Sequence, residues 1–418
     1  MKAYCAELIS QGDFLELNPK NSKQSGNTIQ DPSAPAGLEF HFADGAKPLA
    51  TPWQVAIERA KMVRQSITGE GVILDPACGS GIQLAAYCAM LGRKGVGIEL
   101  DEKTAHAANS NLFQVSKHGY GENLMESRIH VADGTKSIEG IQVSLLHLDP
   151  ARPRNSRTHD INEMRPAIGD VLDAWKDNLT LTDKGPSILL DLSPRLQDGQ
   201  RKEVEKIVEK IWPGVGMTWV WTSRGGGRID RLSLWVGQIS VENVSRRFVR
   251  IPPDFKSKPL VIQGEKTDIV VQKKLPRRGD YVTILDSALV ESGLAGQFLS
   301  NTIPGQESNW SIIQGRRPQI HHSGVFDLQS QMEGLLIQAT GRIVKLVHCE
   351  INQENLPKII EAARDYGFGK LTLRIPLPPE EQPRLQGSID RQLAATGGRH
   401  TGFVAKQADD SMLLLCLE

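Results

Sequence analysis

The sequence predicts an α/β protein. It has a seven-stranded, largely parallel sheet ending in an antiparallel hairpin, and a smaller α+β domain follows. Three observations predict this. Between about residues 71 and 237, short apolar runs alternate with helical stretches, the rhythm of parallel strands joined by crossover helices. Several runs are apolar without interruption, as strands covered on both faces must be. The last two are separated only by the turn-rich stretch from Ser223 to Arg231, too short for a crossover helix, so they pair antiparallel.

Taken in order, the 418 residues suggest two or three domains. Residues 1–50 form an N-terminal extension, and Asn, Ser, Gly and Pro crowd Asn18–Gly37, which reads as loop. From Pro52 to Ile67 the apolar positions Val55, Ile57, Ala60, Met62 and Val63 predict a helix. The candidate strands are Gly71–Leu74, Gly95–Ile98, Arg128–Val131, Val143–Leu148, Ser187–Leu192, Met217–Thr222 and Leu232–Val236, within a domain spanning 51–250. Residues 251–280 are punctuated by Pro and Lys/Arg and read as a linker with one short strand, Asp268–Val271. The domain at 281–418 carries a helix faced by Leu356, Ile359, Ile360 and Ala363. Strands at Lys370–Ile375, Gly402–Lys406 and Met412–Leu417 complete an expected antiparallel sheet.

Hydrophobic residues make up 39% and charged residues 23%, which excludes global disorder. Lys+Arg and Asp+Glu both total 49, which excludes a polybasic, histone-like protein. Cys5, Cys78, Cys88, Cys349 and Cys416 form no CxxC pair, so a reduced, cytoplasmic setting is expected. No apolar run approaches the ~18 residues of a membrane helix, and no membrane partner is expected.

The strongest motif is Val72-Ile-Leu-Asp-Pro-Ala-Cys-Gly-Ser-Gly81, a strand ending in Asp75, a glycine turn with Cys78, Gly79 and Gly81, then a helix. Such a turn lets a ligand approach the backbone. A dinucleotide site wants a third glycine where Leu84 stands, and Asp75 would repel a diphosphate. An acid there suits a positively charged ligand. Glu99 ends the second strand about 20 residues on, where an acid accepts ribose hydroxyls. The third strand ends in Asp133-Gly134, where a carboxylate can take the exocyclic amine of adenine. Each acid alone reads as a surface carboxylate or helix cap; three in register make a pattern.

From Gly71 to Gly237 the chain resembles the class I S-adenosylmethionine-dependent methyltransferases, with their Rossmann-like sheet. The resemblance places Asp75, Gly79 and Gly81 on the family's first motif, Glu99 on its ribose acid and Asp133 on its adenine-side acid. Cys78 would face the methionine moiety. The fourth strand ends in Asp149-Pro-Ala-Arg-Pro153. Nucleic-acid amino-methyltransferases typically have Asn/Asp-Pro-Pro-aromatic here, so Asp149 and Pro150 match while Ala151 and Arg152 differ. Asp149 can orient an amine or take its proton. Arg152, with Arg154 and Arg157, can clamp a phosphate or stack on a base, or merely pair with loop acids. With no cysteine near Asp149, carbon-5 methylation is disfavoured. His321-His322 has no second cluster beside it, so no metal is expected.

The Asp-Pro-Ala-Arg turn looks like that of methyltransferases with a C-terminal THUMP-like domain. Leu49–Ile67, Asp286–Gly293, Lys370–Pro376 and Gly397-Gly398 also resemble that group, so the similarity covers most of 45–418. It implies an enzyme acting on RNA, tRNA or rRNA, at a base amine or ring nitrogen. Arginines at 224, 228, 231, 246, 247, 250, 277, 278, 316 and 317, with Lys273 and Lys274, would make a basic face for phosphates, with Arg224 and Arg228 on the hairpin turn. Two other readings stay open: a methyltransferase for DNA, protein or a small molecule, and an RNA-binding protein with a silent cofactor pocket.

Overall fold

The computed structural model of the chain describes residues 15–22, 27–43, 51–152, 160–254, 256–267, 269, 275–303, 311–313, 317–407 and 412–418. The chain divides into two compact units, Met1–Val220 with Asp230–Ser245, and Trp221–Ile229 with Arg246–Glu418.

The strands of the first part of the chain are β1 (Leu15–Leu17), β2 (Asn27–Gln30), β3 (Glu39–Phe42), β4 (Val72–Asp75), β5 (Gly95–Glu99), β6 (Arg128–Val131), β7 (Val143–Leu148), β8 (Ser187–Leu192), β9 (Met217–Ser223) and β10 (Arg231–Gly237). After them come β11 (Arg246–Arg250) and β12 (Leu260–Gly264). The main sheet has the order β1-β6-β5-β4-β7-β8-β10-β9-β11-β12, ten strands where seven were expected. All seven expected strands form within a residue of their anticipated ends. Their neighbours β4–β5, β5–β6, β4–β7 and β7–β8 are parallel, and β10 runs antiparallel to β8. Of the three additional strands, β1 and β12 lie at the edges, where no apolar run is needed, and β11 is internal. Leu15–Leu17 supplies three residues paired with β6, and Arg246–Arg250 reads as a charge cluster.

In the first unit, β7 and β8 are buried along their whole length. Each carries one ionisable residue in an otherwise aliphatic or hydroxyl-bearing run, His147 and Asp191. The helices are α1 (Trp53–Arg64), α2 (Ile82–Leu91), α3 (Glu102–Val115), α4 (Ile168–Trp175) and α5 (Asp198–Ile211). The expected loop at 18–37 carries β2, which pairs with β3 as a hairpin, with Leu38 and Phe40 fully buried. Asn111 on α3 bonds both backbone groups of His41, at 2.7 and 2.9 Å, and donates to the carbonyl of Ser80 at 2.8 Å. Asp31 accepts from the backbone N–H of Trp53 at 2.7 Å, capping a helix whose preceding Pro52 offers no side-chain cap. The 251–280 stretch contains β12, paired antiparallel with β11; most of 268–271 lies outside the described residues.

The second unit holds a sheet of β13 (Tyr281–Leu285), β14 (Ser311–Ile313), β15 (Gln319–His322), β16 (Ile337–Val347), β17 (Phe368–Leu373), β18 (His400–Lys406) and β19 (Leu413–Leu417), in the order β14-β15-β13-β16-β19-β18-β17. The expected antiparallel sheet is corrected at one edge. β17 and β18 are parallel, because the helix Glu381–Ala394 crosses between them. That helix and Leu356–Asp365 cover one face through Ile359, Ile360, Leu385 and Ile389, packed on Phe368 and Leu371. His322 bonds Thr283 Oγ1 and the carbonyl of Gly324, both at 2.8 Å, and His321 lies 2.9 Å from the Gln319 amide. Burial pushes both imidazoles down to about 4. Among the described residues, no group of three or more His, Cys, Asp or Glu could hold a metal. No described helix is long and apolar enough to cross a membrane.

Gly134 is set by close packing. A Cβ there would lie 1.9 Å from the carbonyl oxygen of Pro76, a backbone atom. Gly134→Ala is therefore expected to lower stability by ~2–3 kcal/mol. A falling urea midpoint at unchanged slope is the expected record; an unchanged midpoint contradicts the packing argument.

Candidate active site

The C-terminal ends of β4, β5, β6 and β7 lie side by side. The chain leaves β4 toward β5 and β6 on one side, while β7 and β8 take the other, which makes β4–β7 a topological switch point. The turn after β4 leads into α2, whose N-cap is Gly81 at φ 69°. Gly79 has φ 51°, and a Cβ there would meet nothing within 4 Å, so this face of the turn is open. Gly81 differs: its Cβ would come 2.9 Å from that of Ala108, so α2–α3 packing sets it.

Glu99, at the end of β5, accepts from the Gly79 N–H and the Asp101 N–H, each at 3.0 Å. Burial pushes its carboxyl up and the two N–H bonds oppose that. The bonds fix the carboxylate at the lip of the open turn. Next to it in the chain Leu100 is 63% exposed, an apolar side chain that periodicity gave no reason to single out. Asp133 accepts from the Thr135 N–H at 2.9 Å and the Thr135 hydroxyl at 2.8 Å, which closes the turn after β6.

Three residues expected to face a ligand face the protein. The Gly134 carbonyl accepts from Trp175 Nε1 at 2.9 Å, and the residue packs on Pro76. Cys78 is buried, with its thiol 2.9 Å from where a Gly97 Cβ would stand, and burial pushes that thiol well up. Asp75 is 1% exposed; its carboxylate bonds His147 Nδ1 at 2.7 Å and accepts from the Ala77 N–H at 3.3 Å.

His147 opens a buried network. Its Nε2 lies 3.1 Å from Asp191 Oδ2, and Asp191 also accepts from Arg59 and, at 2.6 Å, from Ser233. Arg59 donates further to Gln83 at 2.8 Å and to Ser233 at 3.2 Å. Burial disfavours a charged imidazole, yet Asp75 and Asp191 push His147 up to about 9. Burial also opposes ionisation of Asp191, but Arg59 and His147 hold it well below the usual carboxylate range. With both ring nitrogens against carboxylates, His147 is an imidazolium donating twice. The sequence signal existed: a lone His and a lone Asp inside buried strands must have partners.

Beyond β7 the chain turns through Asp149-Pro150-Ala151-Arg152. Ala151 and Arg165 exchange backbone bonds of 2.7 and 2.8 Å, fixing this turn. The Asp149 side chain is 38% exposed, and its Oδ2 lies 3.9 Å from Arg231 Nη2. Burial raises the Asp149 carboxyl; Arg231 opposes this and Asp191 adds to it. Burial lowers Arg152, with Asp149 opposing. Pro150 is buried and shapes the turn. Arg154 and Arg157 lie outside the described residues, as do Lys273, Lys274 and Arg316.

In the second unit, Arg228 is exposed on the turn that its bridge to Gly225 closes, and Arg224 is half-buried. The expected basic face is smaller than its arginine count. Arg250 is buried, donating to the carbonyls of Leu335 and Ile251 at 3.3 and 3.2 Å, with Asp286 3.7 Å away. Arg246 sits over Trp221 at 5.4 Å and donates to the Ser292 carbonyl at 2.9 Å. Arg317 donates to the carbonyls of Leu373 and Ile375 at 2.7 and 3.0 Å.

No protein-family model matches the chain, and no curated protein matches it. Among solved structures it is similar to a candidate methyltransferase from Porphyromonas gingivalis W83, at 14% identity and TM-score 0.52, over 90% of this chain and 82% of that one. Two shorter matches are a candidate rRNA methylase from Clostridium thermocellum and a candidate methyltransferase from Streptococcus mutans in complex with SAH. Their identities are 11% and 9%, each has TM-score 0.30, and they cover 43% of this chain with 95% and 94% of their own. The first match establishes a shared fold: this chain has the architecture of a methyltransferase-like α/β protein with a further C-terminal unit.

The imidazolium gives a pH signature. His147 is raised from 6.5 to about 9 in the folded chain, so its contribution is complete below pH 6.5 and is lost as pH rises through about 9. The urea midpoint should fall across that window. His147→Gln, which cannot protonate, should be ~3 kcal/mol less stable at pH 7. It should also lose the slope; an equal slope in both proteins would count against the imidazolium.

Proposed function

We propose that the chain is an S-adenosylmethionine-dependent methyltransferase acting on a base nitrogen of structured RNA, tRNA or rRNA, with 281–418 serving as a THUMP-like RNA-contacting domain. One observation carries the cofactor reading: the Glu99 carboxylate is bonded to the Gly79 N–H at the open face of the turn, with Asp133 at the next strand end. Glu99 would accept the ribose hydroxyls and Asp133 the adenine amine, while Gly79 leaves room for the amino-acid end. When bound, the sulfonium supplies an electrophilic methyl carbon. Methyl transfer is an in-line displacement, so positioning is the protein's main contribution. Asp149, half-exposed at the end of β7, orients the acceptor nitrogen and takes the proton it loses. Arg152 beside it supplies a planar cation for a phosphate or a base face. The similarity of the Asp-Pro-Ala-Arg turn and of the C-terminal region to THUMP-like methyltransferases supports RNA as acceptor, and exposed Arg228 adds to it.

Tritiated-methyl transfer to bulk tRNA, rRNA, DNA and protein tests the reading. Label should enter RNA; label confined to DNA or protein would replace the acceptor. Glu99→Ala should weaken S-adenosylmethionine binding by ~1.5–3 kcal/mol, the value of hydrogen bonds to a charged acceptor. Calorimetry finding unchanged affinity in the folded variant would remove Glu99 from the site.

The catalytic turn separates from the cofactor turn by kinetics. Asp149→Ala should leave cofactor affinity nearly intact and cut turnover ~10²-fold or more. Arg152→Ala should chiefly raise the acceptor KM. Wild-type turnover by Asp149→Ala would place the chemistry elsewhere.

A further inference from the structure

Arg231 is the first residue of β10, whose antiparallel register sets Leu232 opposite Leu192 at the end of β8. The chain is thereby delivered to the strand end beside Asp191. From there the guanidinium reaches two acids, with Nη2 3.9 Å from Asp149 Oδ2 and Nε 4.0 Å from Asp191 Oδ2. The same Nη2 donates to the hydroxyl of Thr51. The Arg231 side chain is 20% exposed, and its buried Nε–H makes no hydrogen bond. Neither carboxylate is gripped by the bidentate fork that arginine normally offers. Arg231 therefore acts on both acids as a fixed positive charge, tethered at Thr51 and, through Nη1, at the Asp230 carbonyl 3.2 Å away.

The surroundings explain why Asp149 needs one. The groups acting on it are Arg231 from β10, Asp191 from β8, His147 from β7 and Arg59 from α1, with Arg152 on its own turn. His147 already serves Asp75 and Asp191, and Arg59 serves Asp191 with Gln83 and Ser233. Asp75, Asp191 and Asp149 thus stand among His147, Arg59 and Arg231, with Arg152 on the outer side of the Asp149 turn. The first two cations are committed at the Asp191 end. Without Arg231, Asp149 keeps a repelling Asp191 behind it and loses the guanidinium 3.9 Å away, leaving Arg152 on its outer side.

We propose that Arg231 is a positioning residue for the Asp149 turn. From behind, its charge opposes the repulsion of Asp191 on the Asp149 carboxylate, while Thr51 and the Asp230 carbonyl hold the guanidinium. This rests on the reading of Asp149 as the group that takes the acceptor's proton. An arginine first grouped with phosphate-binding residues is thereby assigned to the catalytic turn.

The test uses the full chain labelled with ¹³Cγ-aspartate, with Asp149→Asn identifying the Asp149 resonance. In Arg231→Met, the Asp149 titration midpoint should rise by about one pH unit or more. Arg231→Lys should recover at least half of that, and Thr51→Val, which removes one of the guanidinium's two tethers, should give a smaller rise. An Asp149 midpoint unmoved in the folded Met and Lys variants overturns the proposal. This readout requires no methyl transfer. A moved midpoint with no RNA labelled by the wild-type chain would sustain the Arg231–Asp149 coupling and defeat the proposed function instead. Where bulk RNA is labelled, the acid limb of kcat/KM should move with the carboxyl midpoint while the RNA KM changes less than about twofold. A large KM rise with the limb in place would make Arg231 an RNA contact and overturn the assignment.

Discussion

The first unit depends on a charged imidazole held between two carboxylates. Removing His147, Asp75 and Asp191 from water is expensive, and only mutual pairing with complete hydrogen bonding makes it tolerable. The bonds that meet this cost come from every side. Asp75 lies on β4, His147 on β7, Asp191 on β8, Ser233 on β10, and Arg59 and Gln83 on α1 and α2. The network therefore fixes β4, which carries the glycine turn, against β7, which carries the Asp149 turn. Apolar side chains of similar volume could supply cohesion, but not a fixed electrostatic environment behind Asp149.

This arrangement divides the acids at the strand ends by depth. Asp75 is buried and its carboxylate is used within the protein, although its place in the motif made it a candidate for ligand contact. Glu99 and Asp133 sit nearer the rim, half-buried, their carboxylates tied to local backbone N–H groups. Asp149 lies at the rim as well, exposed on one side and backed by Arg231 on the other. Backbone N–H bonds orient a rim carboxylate from within its own turn, whereas the Asp75 carboxylate is taken up by the imidazolium it faces.

The arginines of the second unit follow the same logic. A guanidinium buried near a loop satisfies carbonyls that have no ladder partner. Arg250 does so for Leu335 and Ile251, and Arg317 for Leu373 and Ile375. Counting basic residues along the chain overstates a phosphate-binding face, because arginine serves as readily for internal carbonyl satisfaction.

The sequence by itself determined the strand succession from Val72 to Gly237, the glycine turn after β4, and the acids at the ends of β4 to β7. Those features are local: apolar runs, turn residues and strand ends are written in neighbouring positions. The helix at Leu356–Asp365 and the closing strand Leu413–Leu417 were legible for the same reason. Only the tertiary structure decided which acid faces solvent, that Cys78 and Gly134 face the protein, and that β17 and β18 are parallel. It also supplied the edge strand β1, the hairpin of β2 and β3, and the partners of His147. Apart from the local β2–β3 hairpin, these rest on contacts between residues far apart in the chain. His147 meets Asp75 across 72 positions, and Arg59 meets Asp191 across 132. A buried charge announces in the sequence that it must have a partner; only the folded chain shows which one.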